Sequence, residues 1–224
     1  MSLPNLPPEL IPDYRRFEES LTRASLPAGA PERLREYGRL LYEKSADLSL
    51  IAKSDRPRLF TRHILDSLNA LSLFPDPPDS ALDIGSGGGL PGIPLAIAWP
   101  AARVVLLESR ERKSGFLEHV VRSLRLTNAK VACARLEDHG DIWTDEPVAS
   151  VFVRALGDLP TVLSHASREV RDGARWVYFL GDRLEADALG EADLDRWRPE
   201  TVEGTFGGRL LTGRYDKGAL PGQE

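Results

Sequence analysis

The sequence predicts an α/β fold, a mostly parallel sheet with helices on both faces, preceded by a helical appendage. Three observations predict it. After a proline cluster, Pro75-Asp76-Pro77-Pro78-Asp79, the hydrophobic pattern changes from helical spacing to short apolar runs. Those runs alternate with helical stretches, and one of them opens directly into a glycine-rich loop and a helix. The break divides the chain into an N-terminal helical region, residues 1–79, and an α/β domain, residues 80–224.

In chain order, residues 10–26 carry Ile11, Tyr14, Phe17 and Leu21 at helical spacing, with acids and arginines between them. Residues 31–48 repeat the pattern through Leu34, Tyr37, Leu40 and Leu41, and Pro31 suits a first helical turn. Residues 58–74 show Leu59, Phe60, Ile64, Leu65, Leu68 and Leu71, a stripe broad enough to face a core. Beyond the prolines, strands are expected over 80–84, 103–107, 130–134, 150–153, 176–180 and 209–215. Helices are expected between them over 94–99, 113–124, 159–170 and 183–194. Ligands of such sheets bind outside the carboxyl ends of the strands.

The chain has 224 residues, which suits one domain with an appendage, and its 42% apolar and 28% charged residues exclude disordered and fibrous classes. With 29 Lys and Arg against 34 Asp and Glu, the net charge of −5 argues against nucleic-acid binding by the whole surface, while leaving room for a local basic patch. The single cysteine, Cys133, permits neither an internal disulfide nor a Cys-rich zinc site and is read as a small core residue. His119, His139 and His165 are isolated, and no metal is expected. No apolar run reaches the roughly eighteen residues a spanning helix needs, and the N-terminus lacks a charged segment followed by an apolar one. A cytoplasmic protein without a membrane partner is expected.

The most informative segment is Asp83-Ile84-Gly85-Ser86-Gly87-Gly88-Gly89-Leu90-Pro91-Gly92. Five glycines in eight residues, from Gly85 to Gly92, cost more unfolded-state entropy than a tight turn alone warrants. From Gly87 the spacing matches the dinucleotide fingerprint, a weak signal by itself. From Asp83 it reads acid-x-Gly-x-Gly-x-Gly, the loop of S-adenosylmethionine-dependent methyltransferases with a Rossmann-like class I fold. The acid decides between them, since a carboxylate there suits the ammonium of that cofactor, or its bound water, and would repel a pyrophosphate. Asp83, Gly85, Gly87 and Gly89 are therefore candidate cofactor residues. Glu108, ending the next strand, is placed to accept hydrogen bonds from a ribose diol. Its alternative is an exposed acid paired with Arg110 or Arg112, and the neighbouring loop favours the ribose.

The run from Asp83 to Leu95, preceded by Arg62-His63-Ile64-Leu65-Asp66-Ser67, resembles the bacterial small-subunit ribosomal RNA guanine-N7 methyltransferases, also called glucose-inhibited division protein B. The likeness continues through Glu108-Ser109, Lys113, Phe116-Leu117 and Arg135-Leu136-Glu137 to Arg154-Ala155. It implies S-adenosylmethionine as cofactor, with contacts on Gly85, Leu90, Leu136, Glu137 and Arg154. It also implies small-subunit ribosomal RNA or a ribosomal particle as partner, and a monomer is expected. Departures fall at Ser49-Leu50-Ile51, where the family has Asn-Leu-Thr, and at Ala149, Leu180-Gly181 and Arg209-Leu210. These bear on RNA contacts more than on the cofactor.

Guanine N7 carries an in-plane lone pair and no proton, so its methylation needs alignment rather than a general base. Consistently, no acid/base pair stands out; Arg154, Arg62 and His63 are the alignment candidates. Cytosine C5 methylation would need a nucleophilic cysteine, and Val153-Arg154-Ala155-Leu156 replaces the Asn/Asp-Pro-Pro-aromatic loop common in amino-group methylation. Basic residues gather at Arg56, Arg58, Arg62 and His63 and again at Arg110, Arg112 and Lys113, two clusters that would frame a phosphate-binding rim if the N-terminal helices lie beside the sheet's carboxyl edge. Two other readings remain: a methyltransferase of a small molecule or another RNA, and a non-catalytic cofactor-binding regulator.

Overall fold

A computed structural model describes residues 6–137, 146–154, 159–166, 170–180, 197 and 199–217. Among these, seven strands, β1 (Ser80–Ile84), β2 (Arg103–Glu108), β3 (Ala129–Cys133), β4 (Val148–Arg154), β5 (Val170–Leu180), β6 (Glu200–Glu203) and β7 (Arg209–Arg214), make one sheet in the order β3-β2-β1-β4-β5-β7-β6. Strands β1 to β5 run parallel, and β7 lies antiparallel to both β5 and β6. Central β1 is buried along its whole length, as a strand covered on both faces must be.

Alternation along the strands sends side chains to two cores. Val104, Leu106, Phe152 and Val177 face one side, where they meet α1 (Ile11–Leu21), α2 (Ala30–Leu48), α4 (Gly92–Ala98) and α5 (Glu111–Ser123). Val105, Leu107, Val151 and Val153 face the other, against Val162, Leu163 and Ala166 of α6 (Leu159–Ala166). The helices ahead of residue 80 therefore share one continuous apolar core with a sheet face. Each fully buried Leu or Phe there contributes about 1.5–3 kcal/mol of transfer free energy.

The third helix differs from expectation. Over 53–73 the chain forms a 3-10 turn, Lys53–Arg58, a π-helical turn, Phe60–Leu65, a single α-turn, α3 (Asp66–Leu68), and a second 3-10 turn, Asn69–Leu73. Pro57 lies in the first turn. Buried Asp13 of α1 then accepts the amide N–H of Phe60 at 2.7 Å, fixing where the π-turn begins. α1 itself stops at Leu21, and the tight turn that follows runs toward Pro27, which disfavours helix at the residue before it.

The expected strand 80–84 coincides with β1, and 103–107 falls one residue short of β2. β5 starts at Val170, ahead of the expected 176, and polar β6 was not expected at all. Cys133 is exposed, not a core residue, because β3 is an edge strand. The expected helix over 183–194 lies outside the described residues, as do His139, Ala155, Leu156, Gly181 and residues 167–169.

Candidate functional site

Strand order places the site. β2 and β3 lie on one side of β1 and β4 and β5 on the other, so the chain changes direction between β1 and β4, where open α/β sheets bind ligands. Register sets Ile84 beside Leu107 and beside Val153. Gly85 consequently leaves the sheet between Glu108 and Arg154.

The glycine loop is ordered from below. Asp83 is buried, and its Oδ2 accepts the Gly92 N–H at 2.9 Å. A Cβ on Gly92 would stand 2.2 Å from Leu106 Cδ2 and 2.6 Å from that carboxylate, so only glycine lets α4 begin this close to the sheet. Burial raises the Asp83 pKa to about 7, against hydrogen bonds from Ser86 and Gly92 that lower it. Asp83 thus lies beneath the loop rather than in the wall of the groove above it.

Above the loop, Gly87 has φ +56°, and its N–H donates to Glu108 Oε2 at 2.9 Å. A Cβ at Gly87 would meet nothing nearer than the Gly85 carbonyl at 3.7 Å, so the space over it is open. Glu108 is only 6% exposed, and its Oε1 accepts the Arg110 N–H at 2.8 Å. Backbone amides, not the side chains of Arg110 or Arg112, are its partners among the described residues. Each carboxylate oxygen keeps a lone pair that can accept from a diol.

Two cavities meet here. One, of about 390 Å³, is lined by Gly85, Gly87, Leu90, Glu108, Lys113 and Arg154. The other, of about 460 Å³, lies between Ile84, Arg135, Leu136, Glu137 and Val162. Both include Gly85, Ser109 and Arg110, which makes them one groove along the strand ends. Gly89 packs beneath it, its Cβ position 2.5 Å from Ile93. The groove offers a glycine cradle, a carboxylate with lone pairs to spare and an apolar slot beside a polar group. That set fits the amino-acid, sugar and base parts of S-adenosylmethionine.

Arg154 closes the β4 side. Its Nη1 lies 2.8 Å from Asp66 Oδ2, and its Nη2 donates to the Arg62 carbonyl at 3.0 Å and faces His63 Nδ1 at 3.3 Å. The π-turn makes this possible. The Asp66 N–H donates to the carbonyls of Thr61 and His63, passing over that of Arg62, which Arg154 takes instead. Burial and the Arg154 charge hold the His63 pKa down at about 3, so the ring is neutral near pH 7. Arg62 pairs with Asp55 at 3.2 Å, as does Arg58 at 2.7 Å.

Some members of both basic clusters border the region around Arg154. Arg110 and Lys113 line the groove, while Arg58 and Arg62 line a cleft beyond Arg154, which borders both. Arg112 is exposed on α5 and lines neither. Sequence reasoning missed Leu50, which walls the groove, and the second role of Tyr37, whose buried hydroxyl reaches the loop. It also missed Asp55, in the turn ahead of the apolar stripe, and Asn69, a polar residue within it, neither of which announces anything at sequence level. Among the described residues no helix is long and apolar enough to cross a membrane, and no group of three or more His, Cys, Asp or Glu could hold a metal ion.

Comparison with known proteins places this geometry. Residues 30–196 match the family model described as rRNA small subunit methyltransferase G. The "Ribosomal RNA small subunit methyltransferase G" of Alkalilimnicola ehrlichii is 40% identical over 165 residues, covering 74% of this chain and 72% of that protein. Its namesake from Paracoccus denitrificans is 38% identical over 149 residues, 65% and 74% of the two chains. Among solved structures, the O-methyltransferase from Bacillus cereus in complex with SAH superposes with a TM-score of 0.60 at 16% identity, covering 88% of this chain and 96% of that one. That similarity establishes the class I methyltransferase fold. With the sequence relatives, it leads to the conclusion that the chain belongs to the rRNA small subunit methyltransferase G family.

Proposed function

We propose that the chain transfers a methyl group from S-adenosylmethionine to N7 of a guanine in small-subunit ribosomal RNA. One observation carries the reading: the stretch that matches the family, residues 30–196, contains the groove at the strand ends together with the helical segment facing it. When bound, the cofactor supplies an electrophilic methyl group on a sulfonium, which the N7 lone pair attacks without loss of a proton.

The residues of this chain have holding and aligning to do. Gly85, Gly87 and Leu90 receive the amino-acid end, with Asp83 and Gly89 supporting the loop from beneath. Glu108 accepts the ribose hydroxyls, and Leu136 and Glu137 hold the adenine. Arg154, fixed by Asp66 and the Arg62 carbonyl, presents a rigid cation beside the reacting atoms. A preset geometry of this kind is worth roughly 7–11 kcal/mol of barrier in favourable cases, enough for a reaction that requires no base. Arg58, Arg62 and Lys113 meet the RNA backbone, with exposed Arg112 at the periphery. His63, neutral, seats Arg154 rather than a phosphate.

Residues 1–79 then act as a helical region that faces RNA and residues 80–224 as the methyltransferase domain, in a monomeric, cytoplasmic, metal-independent enzyme acting on the RNA or on a ribosomal particle. Base-resolved mapping of N7-methylguanine in small-subunit ribosomal RNA, from cells with and without the protein, tests the reading. A single guanine losing its methyl group in the deletion and regaining it on complementation is the expected result. An unchanged map overturns it.

A further inference from the structure

Beyond Arg154 lies a second cleft, of about 270 Å³, between the helical segment that carries Arg58, Arg62 and Asp66 and the tip of the β6–β7 hairpin at Phe206 and Gly207. It is smaller than the ~300–1,000 Å³ typical of sites for whole cofactors, and suits a single ring system. Its far wall is unusually well fixed for a hairpin tip. Buried Asn69 accepts the Phe206 N–H on Oδ1 at 2.7 Å and donates from Nδ2 to the Gly207 carbonyl and to Asp66 Oδ1. Gly208, at φ +82°, brings the backbone so close that a Cβ there would stand 2.4 Å from Asp66 Oδ1. Phe206, half-buried and packed against the sheet-face core, is thereby fixed in the wall of a cleft that also presents arginines and one carboxylate.

An aromatic face flanked by arginines is what an unstacked base from single-stranded RNA binds, and the face itself does not discriminate among bases. The carboxylate does. Asp66 Oδ1 accepts from Asn69, and Oδ2 lies 2.8 Å from Arg154 Nη1 as an ion pair, so each oxygen has a further lone pair with which to accept. Guanine presents N1–H and its 2-amino group as donors on one edge, whereas adenine presents an acceptor at N1 that a carboxylate repels.

We propose that this cleft seats the target guanine, stacked on Phe206 and read through its N1 and 2-amino edge by Asp66, with N7 left unencumbered. Arg58, at the rim, receives the adjoining phosphate. The proposal rests on the guanine-N7 reading above and adds the seat of the base and the residue that selects it.

The test uses the full chain with Phe206→Ala and Phe206→Trp, and as probe a short single-stranded RNA with one unpaired guanine, or adenine in its place. Phe206→Ala should raise KM for ribosomal RNA roughly ten-fold or more, with calorimetric S-adenosylmethionine affinity unchanged, and Phe206→Trp should restore it. Fluorescence of Phe206→Trp should be quenched by the guanine probe beyond the response of the native chain, and at least ten-fold less tightly by the adenine probe. Asp66→Asn should erase that preference. If Phe206→Ala methylates with native KM, or Phe206→Trp shows no added quenching, the seat is overturned while N7 methylation stands. If the native chain yields no N7-methylguanine, the functional reading fails, and quenching still decides whether a guanine sits on residue 206.

Discussion

The hydroxyl of Tyr37, on a helix fifty-one residues ahead of the loop, donates a 2.8 Å hydrogen bond to the carbonyl oxygen of Gly88. Tyr37 is fully buried, and burial pushes its pKa well above the ordinary value, so the hydroxyl stays a donor at any working pH. α2 thus holds the cofactor loop directly, and this loop is braced by the N-terminal region as well as by the sheet. Tyr37→Phe leaves that carbonyl unpaired and should cost about 1 kcal/mol of stability. Cofactor affinity should fall with it, and thermal melting with titration calorimetry reads both. An affinity equal to that of the native chain would mean that the loop needs no brace.

Two glycines of the loop should fail in different ways. Gly92→Ala forces a methyl group into Leu106 and Asp83 and should lower the melting temperature, with or without cofactor. Gly87→Ala meets open space but must hold φ near +56°, a strain of about 1–2 kcal/mol, and places its methyl over the cradle. Its main loss should therefore be cofactor affinity. Equal melting curves for the two variants would contradict this division.

Glu108, the expected ribose acceptor, is buried and also holds two backbone amides at the loop, so its removal bears on stability as well as on affinity. Glu108→Ala removes the acceptor for two loop amides as well as the site for the diol, so about 1–3 kcal/mol of stability should go with the affinity. Glu108→Gln keeps one acceptor oxygen and should recover part of the stability while binding the cofactor weakly. Recovery of full affinity by Gln would show that the negative charge at this position is not needed.

The cofactor half of the site was legible because it is local. Strand, acid and glycines follow one another from Ala81 to Gly92, and the change of period after Pro75 to Asp79 marks where the sheet begins. The other half depends on contacts that no window contains: Asn69 with Phe206, 137 residues apart, and Arg154 with the Arg62 carbonyl, 92 apart. The stripe over 58–74 reads as one α-helix because its apolar spacing is right. What breaks it into π and 3-10 turns is a carboxylate from another helix, Asp13, and a proline in the entering turn. Edge strand β6 escaped notice since Glu200-Thr201-Val202-Glu203 is polar and largely exposed.

Asp83 and His63 should give stability opposite slopes with pH. Asp83 titrates near 3.8 when unfolded and about 7 when folded, so the native state holds the extra proton between those values. The stability that neutral Asp83 contributes is full below about 4 and is lost as pH rises through about 7. His63 goes from 6.5 unfolded to about 3 folded, so its contribution is present above 6.5 and lost as pH falls toward 3. Asp83→Asn, which keeps an acceptor for Gly92, should thus gain on the native chain as pH increases from 5 to 8 in urea unfolding without cofactor. A difference independent of pH would refute the buried, proton-holding carboxylate.

Arg154 and Asp66 tie the end of β4 to the π-turn, and both side chains are largely buried. Removing one partner leaves the other charge in a poor environment, so Arg154→Ala and Asp66→Ala should each cost about 3 kcal/mol, the low end for buried pairs because both retain some contact with water. Arg154→Lys separates this brace from the chemistry. A lysine keeps the charge and can reach Asp66, but it lacks the planar fork that holds the Arg62 carbonyl and faces His63 at the same time. The Lys variant should therefore melt close to the native temperature and bind S-adenosylmethionine comparably, yet lose at least ten-fold in kcat for methyl transfer, since the cation beside the base is no longer fixed. If Arg154→Lys turns over at the native rate, the geometry of the guanidinium is not part of catalysis, and the residue serves only to join the two halves of the molecule.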